Sequence, residues 1–226
     1  MAPNKGKLLN ICYVSGMHDP SAAAPPPSTP SRIYLLAAHP HWRASRVNQR
    51  MLVEARSLAV GNPHLDVQDL YANYPDYAID VAAEQARMEA ADLLVLVHPI
   101  QWYSMPALQK LWLDEVLTYG WAFGAVSAET EEAAPTGAPG TALRGKALWL
   151  VVTTGGQEDS YHPDSYNRHP FDAFLPPYAQ TAALCGMRFL PPLVLHGAHS
   201  AGKQEVLDHI ALFSQKLQTY PHWTSP

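Results

Sequence analysis

Five short apolar runs recur along the chain, and a segment of helical length separates each run from the next. The runs occupy residues 32–38, 65–70, 92–97, 147–153 and 189–195. Near-continuous apolar runs of this length are typical of strands that are buried on both faces of a parallel sheet. Because crossovers between parallel strands are right-handed, the pattern predicts a doubly wound α/β domain with five parallel strands in the order 2-1-3-4-5 and helices on both faces.

The segments between these runs carry helix signals. Helices are predicted over residues 45–60, 80–90, 106–117, 171–185 and 203–220. In the first of them, Val47 and Met51 recur at helical spacing, and Ser45 is the candidate N-cap. Asp80 is the start signal of the second helix, with Glu84 near its first turn.

The first 31 residues stand apart from this alternating pattern. The tract at 22–30 consists of Ala, Pro, Ser and Thr, and it cannot bury enough apolar surface to fold alone. We therefore expect a flexible extension at residues 1–31, followed by one domain at residues 32–226. An acidic, mobile loop is expected at residues 125–140, between the third predicted helix and the fourth strand.

The composition excludes several classes of function. Lys and Arg number 15 against 20 Asp and Glu, so the formal net charge is −5 and no general attraction for nucleic acid is expected. The longest apolar stretches have strand length, so no membrane span is predicted and the cytoplasm is the expected location. The histidines lack metal-ligand spacing and the two cysteines form no CxxC pair, so we expect neither a metal site nor a disulfide framework.

The loop at residues 39–48, between the first strand and the first helix, contains the donors that a phosphate group needs. Free backbone N–H groups at the start of a helix form an anion site, and His39, Ser45 and Arg46 add side-chain donors. The loop has no glycine-rich phosphate motif. From these residues alone, a phosphate site and a plain capping loop with a surface histidine are equally open.

The loops after the third and fourth strands indicate a flat ligand. Trp102 and Tyr103 lie at the carboxyl edge of the sheet, where such rings stack on a planar heterocycle whose edge Gln101 can bond. The alternative is that both rings pack beneath the following helix. In the other loop, Gly155 and Gly156 let the backbone approach a ligand closely. Because the carboxyl ends of parallel strands share one edge, the three loops together predict a cofactor cradle.

Three segments of the sequence together resemble the flavodoxin-like NAD(P)H:quinone oxidoreductase family. They are AHP with SRVN in the first loop, HPIQWYSMPALQKLWLDEVLTYGWAFG from residue 98, and TTGG from residue 153. Within that family the chain is most similar to the bacterial ancillary flavoproteins of glutathione-gated potassium-efflux systems, and the likeness covers residues 32–223. The resemblance implies bound FMN rather than FAD, NADH or NADPH as electron donor, a homodimer, and ping-pong two-electron reduction of quinones.

The resemblance also implies roles for individual residues. The implied cofactor-binding residues are His39, Ser45, Arg46, Val47, Asn48, Ile100, Gln101, Trp102, Tyr103, Thr153, Thr154, Gly155 and Gly156. Tyr161 is the implied catalytic tyrosine, and His169 is the implied catalytic histidine, with His162 competing for that role. Trp121 and Phe123 are implied to line the substrate opening.

Two other functions remain open. One is a redox-linked regulatory subunit of a potassium-efflux antiporter, which would bring the protein to the inner membrane through its partner. The other is a flavodoxin-type electron carrier, against which the aromatic loop and Tyr161 argue. The extension at 1–31 and the length of the acidic loop at 125–140 depart from the family pattern.

Overall fold

The computed structural model describes residues 30–124 and 142–224, and it contains the predicted parallel sheet. The strands are β1 (Ile33–Ala37), β2 (Leu65–Asp69), β3 (Leu93–Pro99), β4 (Ala147–Thr153) and β5 (Arg188–Leu195). All pairings are parallel and the order is β2-β1-β3-β4-β5, which confirms the predicted fold class. The predicted acidic loop and all but the last two residues of the predicted extension lie outside the described residues.

Helices cover both faces of the sheet. They are α1 (Asn48–Ala59), α2 (Leu70–Asn73), α3 (Val81–Ala90), α4 (Ala107–Val116), α5 (Pro176–Leu184) and α6 (Lys203–Thr219). The single helix predicted over residues 171–185 is wrong. A 3₁₀ turn at Phe171–Phe174 precedes α5, because Pro176 and Pro177 lack the N–H groups that would continue a helix and instead occupy the first turn of a new one. Within the described residues, no helix is long and apolar enough to cross a membrane.

Alternate side chains of each strand pack into two separate cores. On one face, Leu36 and Leu96 pack with residues of α3, α4 and α5. On the other face, Leu35 and Val95 pack with residues of α1 and α6. Burial of each such aliphatic side chain contributes about 2 kcal/mol of transfer free energy, and a slip of one residue would exchange the two faces. The two cores therefore fix the strand register, and with it the positions of the loops at the carboxyl edge.

The two edge strands depart from the near-continuous apolar pattern that was expected of all five. In β2, Asp66 and Gln68 are half-buried. In β5, two consecutive prolines interrupt the ladder, and the register with β4 shifts after Leu190 because β5 contains one extra residue. Proline is tolerated at such a bulge in an edge strand because no ladder hydrogen bond is lost there.

Helix α3 carries a carboxylate that is completely buried. Glu84 accepts hydrogen bonds from the Tyr34 hydroxyl, from the Tyr74 hydroxyl at 2.7 Å and from the Trp112 indole N–H at 2.8 Å. These donors replace the water that the carboxylate loses on burial. The network joins α3 to β1, to the end of α2 and to α4.

Candidate functional site

The loop between β1 and α1 presents three consecutive backbone N–H groups that have no partner in the described part of the chain. A 3₁₀ turn at Trp42–Ala44 is followed by an extended residue, and α1 begins at Asn48. Among the described residues, the N–H groups of Arg46, Val47 and Asn48 have no acceptor. Consecutive free N–H groups at the start of a helix favour binding of an anion.

Ser45 is not the N-cap of α1, contrary to the prediction from sequence; Val47 occupies that position. The reason is that the Ser45 N–H closes the preceding 3₁₀ turn by donating to the Trp42 carbonyl at 3.0 Å, which leaves Ser45 extended. The Ser45 hydroxyl still contributes to the helix start, because it accepts a hydrogen bond from the Gln49 N–H at 3.1 Å. Its own proton remains available for a ligand.

The His39 ring is held in one neutral form at the wall of this loop. Its Nδ1 accepts a hydrogen bond from the backbone N–H of His41 at 3.0 Å, so the ring proton lies on Nε2. Burial lowers the pKa of His39, and the neighbouring His41 lowers it further. His39 is therefore a neutral donor at pH 7. A positive charge beside the free N–H groups comes from Arg46, whose Nη1 donates to the His199 carbonyl at 2.5 Å.

Asn48 has a buried oxygen that lacks a hydrogen-bond partner among residues 30–124 and 142–224. The side chain is only 2% exposed, and its Nδ2 donates to Thr153 Oγ1 at 3.0 Å, which joins α1 to the end of β4. Its Oδ1 has no donor within the described part of the chain. An orphaned buried acceptor costs about 1–3 kcal/mol, so this atom favours a bound molecule that carries a hydroxyl or N–H donor.

One cavity of about 260 Å³ joins the three strand-end loops. Its walls come from His39, His41 and residues 44–48, from Pro99–Gln101, from Thr153–Gly155, and from Ala198 and His199. No Asp or Glu is among these residues, so the cavity is suited to an anionic group. A larger hollow of about 350 Å³ lies at the opposite end of β1, where Arg87 is already paired with Asp66 at 2.6 Å. The predicted meeting of the three loops is confirmed.

The turn between β3 and α4 has a strained backbone. Gln101 and Ser104 exchange backbone hydrogen bonds of 2.8 and 3.1 Å, and both residues between them have positive φ, 48° for Trp102 and 64° for Tyr103. Bulky residues seldom adopt this conformation, and each costs about 1–3 kcal/mol. Ile100 and Gln101 line the cavity, but Trp102 is 94% exposed and does not. The alternative that Trp102 packs beneath the following helix is wrong.

The loop after β4 has two glycines with different surroundings. A Cβ on Gly155 would meet only the His199 ring, at 3.7 Å, so space remains beside it. A Cβ on Gly156 would lie 2.6 Å from Ser160 Oγ and 2.8 Å from the Tyr166 hydroxyl, so this glycine is required by the packing of the loop itself. Within the described residues, the Gly155 N–H has no acceptor and is available to a ligand in the cavity.

An aromatic cluster adjoins this loop and contains Tyr161. The Tyr161 ring lies 5.4 Å from Phe171, 6.1 Å from Phe174 and 5.2 Å from the ring of His196. Tyr103 stacks on Phe174 at 5.1 Å, which connects the cluster to the strained turn. Burial raises the pKa of Tyr161. Tyr161 therefore keeps its proton at neutral pH.

The two histidines considered from sequence lie further out. His169 is exposed, and its ring is 6.4 Å from Phe174. His162 is also exposed, and its Nδ1 accepts a hydrogen bond from the Asp164 backbone N–H at 3.3 Å. The histidine that contacts Tyr161 is His196, at the end of β5, which the sequence analysis did not assign to the site. Its place at the carboxyl end of a strand is the signal that could have found it.

Trp121 and Phe123 do not line the cavity. Both pack against the core on the α3–α5 face of the sheet. The Trp121 indole N–H donates to Glu89 at 2.6 Å, and the Phe123 ring lies 5.8 Å from Tyr119. Their predicted role at a substrate opening stays a prediction.

Comparison with known proteins finds relatives over most of the chain. The family whose description is flavodoxin-like fold matches residues 31–218, a span that includes every residue lining the cavity. The ancillary protein KefF of the glutathione-regulated potassium-efflux system of Salmonella schwarzengrund is 39% identical over 189 residues, which are 83% of this chain and 96% of that protein.

Two solved structures illustrate the likeness in three dimensions. General stress protein 14 of Treponema denticola, solved in complex with FMN, is 34% identical with a TM-score of 0.70 and covers 83% of this chain and 98% of its own. A Klebsiella pneumoniae protein assigned as a quinone reductase is 26% identical with a TM-score of 0.69, over 84% of this chain and 85% of its own.

Proposed function

Because the chain belongs to the flavodoxin-like family, in the group that includes quinone reductases and the potassium-efflux ancillary proteins, we propose that it is an FMN-dependent NAD(P)H:quinone oxidoreductase. The observation that carries the proposal is the cavity at the carboxyl edge of the sheet. At one end it has unpaired N–H groups beside Arg46, and next to them the orphaned Oδ1 of Asn48.

The residues present fit the phosphate and sugar parts of FMN. The N–H groups of residues 46–48, the Ser45 hydroxyl, Arg46 and the Nε2–H of His39 would hold the phosphate. Asn48 Oδ1 would accept a hydrogen bond from a ribityl hydroxyl, which would satisfy a buried acceptor that has no partner within the described residues. The structure of a relative with FMN bound supports this assignment.

The flavin ring would lie against the turn between β3 and α4. A cavity of about 260 Å³ is smaller than most ligand pockets, which supports a ring that extends beyond it towards Gln101–Tyr103. Ile100, Gln101 and the Gly155 N–H would contact the ring, together with the remaining residues of the β4 loop. Trp102 and Tyr103, which are held in a strained turn, would flank its face.

Bound FMN would supply the hydride chemistry, by two-electron transfer from NADH or NADPH to a quinone that takes the same place in turn. The protein would contribute position and charge. Tyr161, whose raised pKa keeps its hydroxyl protonated, would donate a hydrogen bond to negative charge that develops at the cofactor edge. The rings around Tyr161 would limit access of water. His169, which is exposed, is the second proposed catalytic residue, and Trp121 and Phe123 are proposed to lie at the substrate opening.

A second function is favoured by one specific observation, the 39% identity with a potassium-efflux ancillary protein over 96% of that protein's length. We propose that the chain, as a cytoplasmic homodimer, also binds a potassium-efflux antiporter and thereby reaches the membrane. Potassium flux through vesicles that contain a glutathione-gated antiporter should rise when the protein is added. Unchanged flux at saturating protein would exclude this second function and leave the first intact.

The proposed activity is tested on the purified protein. The flavin released by heat should be FMN by chromatography, and NADH or NADPH should be oxidised in the presence of a panel of quinones. An Arg46→Met, Asn48→Ala double variant should lose the flavin, whereas Val60→Ala, a matched change at an exposed position after α1, should retain it. A wild-type protein that is colourless and takes up no FMN would refute the proposal. Obligatory one-electron transfer would favour the electron carrier.

A further inference from the structure

His196 is tied to the loop after β4 by the segment that leaves β5. The Thr154 N–H donates to the Leu195 carbonyl at 3.0 Å, and the Ala198 N–H donates to the Thr154 carbonyl at 2.9 Å. The Gly197 N–H donates to the Gly156 carbonyl at 2.8 Å. The two loops therefore continue the pairing of β4 with β5 beyond the end of the sheet, and His196 lies in the middle of this contact.

The Thr154 hydroxyl fixes the proton position on His196. Thr154 Oγ1 is 2.8 Å from the Gly156 carbonyl oxygen and 3.0 Å from His196 Nδ1. A carbonyl oxygen can only accept, so the single hydroxyl proton of Thr154 goes to Gly156. The contact with His196 is then a hydrogen bond only if Nδ1 carries the ring proton and donates it. This arrangement satisfies both contacts and leaves the lone pair on Nε2.

The Gly156 carbonyl thus accepts two hydrogen bonds, one from Thr154 and one from Gly197. The bond from Gly197 joins that oxygen to the segment after β5, and the bond from Thr154 lies within the β4 loop; together they restrict rotation of the peptide units in that loop. The Gly155 N–H is left without an acceptor beside the cavity. The ring of His196 also supports Tyr161, at 5.2 Å, and Phe171, at 5.0 Å.

We propose that His196 is a positioning residue, which as the Nδ1–H tautomer holds Thr154 and through it the β4 loop in the form that binds the cofactor. Its effect on binding rests on the proposed function, since FMN is the ligand in question. The assignment of the Nδ1–H tautomer does not depend on the proposed function. The role is distinct from that of a catalytic residue, because His196 acts through the loop.

The tautomer is measured on wild-type protein without flavin, by long-range ¹H–¹⁵N NMR of the histidine rings. The spectrum should show His196 protonated at Nδ1. A ring protonated only at Nε2 would overturn the proposal, whatever the protein binds. This measurement needs no variant and stays informative if a substituted protein fails to fold.

FMN affinity is measured by fluorescence titration of the apo-protein. His196→Leu should raise the Kd of FMN about tenfold, because the hydrogen bond to Thr154 is lost. His196→Asn should stay within about threefold of wild type, since its amide N–H occupies the place of Nδ1–H. Equal losses in both variants, or none in His196→Leu, would contradict the role. A wild-type protein that binds no FMN would instead refute the proposed function.

A double-mutant cycle tests the connection through Thr154. Thr154→Val removes the hydroxyl with little change of shape, and the double variant with His196→Leu should bind FMN no more weakly than the weaker single variant. Additive losses would show that His196 acts independently of Thr154, which would overturn the proposal that it acts through that residue.

Discussion

Replacing Asn48 with alanine should weaken FMN binding while changing the stability of the apo-protein little. Within the residues that the structure describes, the buried Oδ1 has no partner, and the side chain makes one hydrogen bond, from Nδ2 to Thr153 Oγ1 at 3.0 Å. Loss of that bond costs about 1 kcal/mol, and removal of the orphaned acceptor offsets it. On binding, a ribityl hydroxyl would satisfy Oδ1, a gain of about 1–3 kcal/mol. Asn48→Ala should therefore raise the Kd of FMN about 5- to 150-fold.

The assay compares FMN with riboflavin, which has the same sugar chain but no phosphate. Asn48→Ala should weaken both ligands by the same factor. Arg46→Met is the matched control, because it removes the charge beside the three free N–H groups and should weaken FMN about tenfold with little effect on riboflavin. A loss in Asn48→Ala that affects FMN but not riboflavin, or no loss at all, would refute the assignment of Asn48 to the sugar.

Three further predictions concern the rest of the domain. Tyr161→Phe should slow flavin reduction by NAD(P)H about 100-fold in stopped-flow experiments, with the Kd of FMN unchanged; an unaltered rate would leave Tyr161 a packing role only. Gln109→Leu should raise the free energy of unfolding in urea by about 1 kcal/mol, because both amide atoms of this fully buried side chain lack partners among the described residues, and a decrease would contradict that account. Burial lowers the pKa of His98 from 6.5 to about 4, so the unfolded chain alone takes up this proton as the pH falls from 7 to 5. Unfolding free energy should drop by about 2 kcal/mol from this residue over that range, and His98→Asn should remove that part of the slope.

The sheet and its order could be predicted from sequence because the central strands are apolar on both faces. Leu35 and Leu36 are both fully buried, on opposite sides of β1, which is the situation that a continuous apolar run indicates. The rule that ligands bind at the carboxyl edge then predicts that residues of three loops lie close together, and the cavity that they line confirms this. These conclusions depend only on periodicity and handedness.

Features that the sequence does not predict depend on contacts between residues that are distant in the chain. Ser45 has the side chain of an N-cap, but its N–H is used by the 3₁₀ turn that precedes it, and no local pattern shows that turn. Glu84 matches the acidic first turn of a helix, yet its carboxylate is buried and accepts hydrogen bonds from three donors in other elements. By contrast, Pro176 and Pro177 are a local signal for the break before α5, because they occupy the first turn of a new helix.

In the candidate site, too, local patterns can be read from the sequence, whereas contacts between different loops cannot. The pattern at Thr153–Gly156 predicts a ligand loop, but it does not show that the packing of Ser160 and Tyr166 requires Gly156 to lack a side chain. The contact between His196 and Tyr161 joins residues from two different loops, so neither spacing nor motif predicts it. Trp102 is exposed because its turn is closed by backbone hydrogen bonds that set both positive φ angles.

The paired prolines of β5 restrict how a second copy can associate with this domain. An outer strand normally offers a row of N–H and C=O groups on which a neighbouring chain can build, the usual start of uncontrolled aggregation. Pro191 and Pro192 interrupt that row, and the bulge bends the strand away from a flat template. Self-association through a continuous ten-stranded sheet across β5 is therefore disfavoured, and a dimer on this side of the domain has to form through helices or loops.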